Sequence, residues 1–123
     1  MKITGLILAA VVCAVTGCHR SSSELSYHNP VWDGYLADPQ VMQYKGVYYA
    51  YGTGSGLDGR QFPVLRSEDF TTWTHVGGAL EPVAEPVMKD YWAPEVVEHQ
   101  GKFYLYYAGD GKMRVAIADK PEG

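Results

Sequence analysis

A fifteen-residue segment occurs twice in this chain of 123 residues, and this repeat constrains the fold more than any other feature. Residues 37–51 read ADPQVMQYKGVYYAY, and residues 92–106 read WAPEVVEHQGKFYLY. The two copies share a proline, a valine, a turn glycine and three aromatic positions at an offset of 55 residues. A repeat of this length with two aromatic strands per unit indicates a propeller blade or a stacked array of sheets.

Each unit divides into short strands separated by turn residues. Runs rich in β-branched and aromatic residues, bounded by glycine-containing turns, predict strands at 40–44, 47–51, 62–67 and 73–76, and again at 96–99, 102–108 and 113–118. Four glycines in residues 52–59 predict a flexible loop. The sequence therefore predicts an all-β chain, with one blade at about 37–80 and a second, incomplete blade at about 92–123.

The first residues have the composition of an export signal. Lys2 precedes an apolar run at 6–15, and the motif Val-Thr-Gly-Cys that ends at Cys18 resembles a bacterial lipobox. We expect residues 1–17 to be a lipoprotein signal peptide, Cys18 to be lipidated, and the polar residues 18–29 to be a tether. This predicts an exported, membrane-anchored lipoprotein. A plain secretory signal is one alternative. An anchor helix is another, although residues 3–17 fall short of the roughly 20 residues that span a bilayer.

Charge and motifs exclude several classes of function. The formal net charge is −4, and loss of Lys2 with the signal peptide would make it more negative, which argues against a nucleic-acid partner. The sequence has no Cys/His pattern for a metal, no phosphate-binding glycine loop and no Gly-x-Ser-x-Gly motif. We therefore expect no cofactor, and a membrane contact only through the N-terminal lipid.

Two blades are too few for a closed propeller, which typically has four to eight. Each blade buries both faces against its neighbours, so two blades alone would leave two apolar faces exposed. We therefore expect this chain to be the N-terminal part of a longer protein.

A series of motifs in residues 29–123 resembles glycoside hydrolase family 43. The motifs are Asn-Pro-Val at 29–31, Ala-Asp-Pro at 37–39, GVYYAYGTG at 46–54, SEDFTTW at 67–73, YWAPEV at 91–96, GKFYLYYA at 101–108 and VAIADKPEG at 115–123. The resemblance implies a five-bladed β-propeller that hydrolyses arabinose- and xylose-containing glycans with inversion. Within the family, FPVLRSEDF together with YWAPEV looks most like α-L-arabinofuranosidases. An axial ion is found in the family, but the residues that would bind it are not recognisable here.

The resemblance implies that Asp38 is the general base. An inverting glycosidase places one carboxylate on the attacking water and a protonated carboxyl on the leaving oxygen, about 6.5–9.5 Å apart. The first strand of each blade lines the propeller axis, so Asp38 is expected where the blades converge. Without the family, an aspartate before a proline at a strand start would be read as a turn residue.

Two further residues are candidates for substrate binding. Trp92 offers an indole face that can stack on a pentose, although a tryptophan that packs between blades is the alternative. Glu95 is interpreted as a pocket-lining residue or a structural hydrogen-bond acceptor. The role of general acid is less favoured, because the resemblance implies that the acid and a carboxylate tuning its pKa lie on later blades.

The sequence is thus interpreted as part of a glycosidase, an α-L-arabinofuranosidase first and a β-xylosidase or arabinanase second. A fragment without the later carboxylates is expected to be inactive. A non-catalytic carbohydrate-binding propeller is the alternative from another class.

Overall fold

Two antiparallel β-sheets, joined by one connection, make up the fold. The computed structural model describes residues 26–82 and 88–123. Sheet one contains β1 (Ala37–Tyr44), β2 (Val47–Thr53), β3 (Gln61–Ser67) and β4 (Thr74–Leu80), in that spatial order. Sheet two contains β5 (Tyr91–His99), β6 (Lys102–Gly109) and β7 (Lys112–Ala118), again in sequence order. The prediction of an all-β chain with a repeated unit is confirmed.

The repeat in sequence is also a repeat in backbone geometry. The β1–β2 hairpin turns at Lys45 and Gly46, with φ of 50° and 84°, and the β5–β6 hairpin turns at Gln100 and Gly101, with φ of 52° and 76°. Positive φ at both central residues defines a type I′ turn, whose twist matches that of the flanking strands. Such turns are easiest for glycine at the second position, which explains why both copies keep it.

The core lies between the two sheets. Sheet one contributes Tyr49, Tyr51, Phe62 and Val64, and sheet two contributes Tyr91, Val96, Phe103, Leu105 and Tyr107, joined by Met88. The ring of Phe62 meets Tyr107 edge to face at a centroid distance of 5.3 Å. Strand β5 packs against β1 and β2, so the first strands of the two sheets are neighbours.

The far face of sheet two is apolar and exposed. Strand alternation places Val97, Tyr106, Met113, Val115 and Ile117 there, all with large exposed fractions. By the offset of 55, Tyr106 corresponds to Tyr51 of sheet one, which is buried against sheet two. Sheet two therefore leaves exposed the same kind of face that sheet one buries against sheet two.

The strands are longer than the sequence predicted. Both β1 and β5 begin earlier, because each continues through an irregularity in register, between Ala37 and Gln40 and between Trp92 and Glu95. Strand β4 extends to Leu80, through Gly77 and Gly78. The loop predicted at 52–59 instead holds the end of β2 and a short 3-10 turn, Leu57–Gly59.

The buried hydroxyl of Tyr51 ties the end of sheet two to the core of sheet one. It donates a hydrogen bond of 2.7 Å to the carbonyl oxygen of Pro121. Burial, with a smaller contribution from the Glu122 carboxylate, raises the pKa of Tyr51 above its ordinary value of 10.0. The folded state therefore keeps this proton at a pH where an unfolded tyrosine loses it.

We expect alkaline pH to destabilise the fold through Tyr51. The unfolded state binds fewer protons above about pH 10, so the free energy of unfolding should fall there by up to about 1.4 kcal/mol per pH unit for this group. Tyr51→Phe should cost about 1 kcal/mol at pH 8, from the lost hydrogen bond, and should show a shallower decline above pH 10. Denaturant unfolding at several pH values measures both. An unchanged slope in the variant would contradict this role.

Within residues 26–82 and 88–123, no helix has the length and apolar character needed to cross a bilayer. The signal peptide predicted at 1–17 and the lipidation site Cys18 lie outside the described residues, as does most of the predicted tether.

Candidate active site

Asp38 lies at the start of sheet one, where β1 meets the neighbouring sheet. It occupies the register irregularity of β1 and has a positive φ of 48°. Aspartate is one of the few residues that enter this region readily, although a following proline disfavours helical conformations. The side chain is exposed, and its Oδ2 accepts a hydrogen bond of 2.8 Å from the Oγ1 of Thr53.

Ala93 is the equivalent of Asp38 in sheet two. It has a φ of 49°, lies in the matching irregularity of β5 and also precedes a proline. Its backbone N–H donates a hydrogen bond of 2.7 Å to the same Thr53 Oγ1. A positive φ is sterically unfavourable for alanine, and such strain tends to persist where surrounding contacts hold the backbone.

Gln40 makes a second link between the first strands. Its side-chain amide accepts from the backbone N–H of Val96 at 3.2 Å and donates to the Val96 carbonyl at 3.4 Å. Two polar side chains of sheet one, Thr53 and Gln40, therefore fix β5 relative to β1 and β2. This fixes the position of Asp38 relative to sheet two.

Trp92 and Glu95 lie in β5, in the other sheet from Asp38. Trp92 pairs with Ala108 and Glu95 pairs with Tyr106, and both side chains lie on the face of sheet two that points away from sheet one. Trp92 is 56% exposed. Glu95 takes the position that Gln40 has in sheet one, where the Gln40 side chain hydrogen-bonds the backbone of the neighbouring sheet. This position supports the hydrogen-bond alternative more directly than the pocket-lining one.

A cavity of about 670 Å³ lies elsewhere. It lies between the segment before β1 and the face of sheet one that points away from sheet two, and its lining is mainly apolar: Tyr27, Pro30, Val31, Trp32, Leu36, Pro39, Val41, Ala50, Leu65, Phe70 and Trp73 among others. Its lining contains no carboxylate. Its size reflects an uncovered sheet face.

Among the residues that the structure describes, no group of three or more His, Cys, Asp or Glu side chains is arranged to hold a metal ion. The expectation of no cofactor stays a prediction.

Sequence reasoning missed Thr53, which it placed in a flexible loop. The repeat contains a signal for it: at the offset of 55, Asp38 corresponds to Ala93 and Thr53 corresponds to Ala108. The carboxylate and the hydroxyl that binds it are thus both present in unit one and both absent from unit two.

The comparisons with known proteins agree with this architecture. Residues 27–123 match the family model described as "Glycosyl hydrolases family 43", and the chain belongs to that family. A crystal structure of a thermostable family-43 glycoside hydrolase is 33% identical and superposes with a TM-score of 0.65, over 80% of this chain and 34% of the other. The two sheets correspond to about two blades of the five-bladed β-propeller of such neighbours.

The names of two matched proteins refer to arabinan and to a xylanase. The "Probable arabinan endo-1,5-alpha-L-arabinosidase B" of Aspergillus oryzae is 33% identical over 111 residues, which are 83% of this chain and 30% of that protein. A structure titled endo-1,4-beta-xylanase from Bacteroides thetaiotaomicron is 42% identical, with a TM-score of 0.62, over 72% of this chain and 31% of the other. The chain therefore spans only about a third of the length of these relatives.

Proposed function

We propose that this chain supplies the first two blades, and the general base, of an inverting glycoside hydrolase that acts on arabinose- or xylose-containing glycans. The observation that carries the proposal is the placement of Asp38. Its carboxylate lies at the boundary of the two sheets, with one oxygen held by Thr53 and the side chain open to solvent. The named activities of the relatives, on arabinan and xylan, support a pentose substrate.

In the proposed reaction, Asp38 accepts a proton from a water molecule as the water oxygen forms a bond to the anomeric carbon. The bond from that carbon to the leaving oxygen breaks, and a carboxyl group on a later blade donates a proton to that oxygen. The two groups stand about 6.5–9.5 Å apart, which leaves room for the water. The pKa of the acid must be raised by its surroundings, which is the task of the other blades.

A panel of substrates tests the proposal and its alternatives. A complete propeller that contains residues 27–123 is assayed with aryl α-L-arabinofuranoside, aryl β-xyloside, linear arabinan and xylan. We expect turnover of the arabinofuranoside. Preference for the xyloside would instead indicate a β-xylosidase, and preference for internal arabinan bonds would indicate an arabinanase. Carbohydrate binding without turnover of any of them would contradict the enzyme and establish the binding module. Residues 26–123 alone should be inactive, since the proposed acid lies on a later blade.

Trp92 is proposed to stack on the sugar. Trp92→Ala should then raise KM with little change in kcat, because stacking stabilises the ground and transition states alike. A loss of about 1 kcal/mol of binding free energy corresponds to a several-fold rise in KM. Trp73→Ala is the matched control, because Trp73 precedes β4, the outermost strand of sheet one. If Trp92→Ala leaves KM unchanged and lowers only the unfolding temperature, Trp92 packs between blades instead.

We also propose that the protein is exported and anchored by a lipid on Cys18. The support is the apolar run followed by Val-Thr-Gly-Cys at 15–18. Two or more acyl chains give stable attachment, whereas one is marginal. Labelled palmitate should be incorporated into the protein in bacterial cells, and Cys18→Ala should abolish both the label and membrane association. A Cys13→Ala control should keep both. A soluble product with an unmodified Cys18 thiol would contradict the anchor.

A further inference from the structure

The hydroxyl of Thr53 makes two hydrogen bonds whose directions are fixed by its partners. A carboxylate oxygen can only accept, so Thr53 Oγ1 donates to Asp38 Oδ2 at 2.8 Å. A backbone N–H can only donate, so the same oxygen accepts from Ala93 at 2.7 Å. The single donor of the hydroxyl is thus directed at the carboxylate, and the bond from sheet two prevents it from rotating away.

The consequence for Asp38 is a fixed orientation. A side chain at an exposed strand start would otherwise sample several rotamers. With Oδ2 held by Thr53, Oδ1 has no hydrogen bond among the described residues and remains available for another partner. The repeat supports a dedicated role: the second unit has neither group, since Ala93 and Ala108 take the two positions.

We propose that Thr53 is a positioning residue for the general base: it holds one oxygen of the Asp38 carboxylate so that the other meets the attacking water. This rests on the proposed function, in which Asp38 activates that water. Thr53 touches neither the water nor the sugar in this proposal. Its contribution is therefore made in the transition state, through the alignment of Asp38, and not in the binding of substrate.

A purely structural role for Thr53 predicts different kinetics. Thr53 ends β2 and links two sheets, so its replacement could simply loosen the fold. Such loosening would lower the amount of active enzyme or the unfolding temperature. It would not depend on whether residue 38 is an aspartate. The experiment therefore separates alignment from stability by means of variants at both positions.

The variants are Thr53→Val, Thr53→Ser, Asp38→Asn and the double variant Asp38→Asn with Thr53→Val, all in a complete propeller that contains residues 27–123. Valine keeps the shape and the strand preference of threonine and removes the hydroxyl, while serine keeps the hydroxyl. Thr74→Val, at an exposed position in β4, is the matched control. The assay measures kcat, KM, the concentration of active sites and the unfolding temperature.

We expect Thr53→Val to lower kcat roughly 10- to 100-fold, the scale of a displacement of a reacting group by about 1 Å, with KM nearly unchanged. Thr53→Ser should restore kcat to near the wild-type value. In the Asp38→Asn background, Thr53→Val should cause no further loss, because residues that act through one another are not additive.

The role of Thr53 alone would be overturned by wild-type kcat in Thr53→Val while Asp38→Asn is inactive, by a full additional loss in the double variant, or by failure of serine to rescue. Wild-type turnover in Asp38→Asn would instead overturn the proposed function, and with it this inference. A loss in Thr53→Val that disappears when rates are expressed per active site, and that is matched by a lower unfolding temperature, would assign Thr53 to the fold and overturn the positioning role.

Discussion

Replacement of Asp38 by asparagine in a complete propeller is expected to lower kcat by about 10²–10⁴-fold, the usual contribution of a general base. Asparagine tolerates positive φ about as well as aspartate, so the backbone at the irregularity of β1 should not change. Its amide oxygen can still accept the hydrogen bond from Thr53. The substitution therefore removes basicity with little change in shape, and substrate binding should survive.

The control for this variant is Asp33→Asn. Asp33 is an exposed carboxylate in the segment before β1, and the substitution changes the net charge by the same amount. We expect wild-type kcat and KM. Binding to Asp38→Asn is measured by calorimetry with an oligosaccharide that the variant no longer cleaves. If Asp38→Asn keeps the wild-type kcat, the assignment of the base is wrong.

The largest expected effect on stability comes from Phe62, which is fully buried between the sheets. Phe62→Ala removes the ring that meets Tyr107 and Tyr91 at centroid distances of 5.3 and 6.1 Å. Loss of a buried phenylalanine costs about 3–5 kcal/mol, because the transfer free energy is lost and a cavity remains. Denaturant unfolding should show this decrease in the free energy of unfolding.

Phe70→Ala is a closely matched control. Phe70 also has a positive φ, 66° against 60° for Phe62, so alanine meets the same backbone strain at both sites. However, Phe70 is 53% exposed, and its ring meets Tyr48 and Trp73 edge to face outside the core between the sheets. We expect a loss of about 1 kcal/mol, the scale of exposed aromatic contacts. Equal losses at the two sites would show that the interface between the sheets is not the main source of stability.

The hairpins of the fold were predictable from sequence because their signals are local. Runs rich in β-branched and aromatic residues beside Lys45-Gly46 and Gln100-Gly101 specify the strands, and the glycines favour their type I′ turns. The ends of the strands were not predicted correctly, because glycine was taken as a sign of a loop. Gly78 lies in β4, where a Cβ would come within 2.6 Å of the Cβ of Arg60, so glycine is needed there for close packing.

The site was predictable only in part, and for a similar reason. Asp38 was found through the resemblance to a family, since an Asp-Pro pair alone is a common turn. Thr53 reaches a backbone N–H 40 residues away on another sheet, and local patterns carry no information about such a contact. The repeat does carry some information about this contact, because Asp38 and Thr53 are both replaced by alanine in the second unit.

The face of the sheet on which Trp92 and Glu95 lie was not predicted from the repeat and follows from the strand pairing. The sequence predicted this strand at 96–99, whereas β5 runs over Tyr91–His99 and includes both residues. Strand alternation then places both on the face directed away from Asp38.

The most direct test of the account is the configuration of the first sugar released by the complete propeller, followed by proton NMR before the anomers equilibrate. If Asp38 activates a water that attacks the anomeric carbon, the initial product has the inverted configuration. A product that first appears with the configuration of the substrate would contradict the account, because it would require a carboxylate about 5–5.5 Å from its partner that attacks the sugar itself.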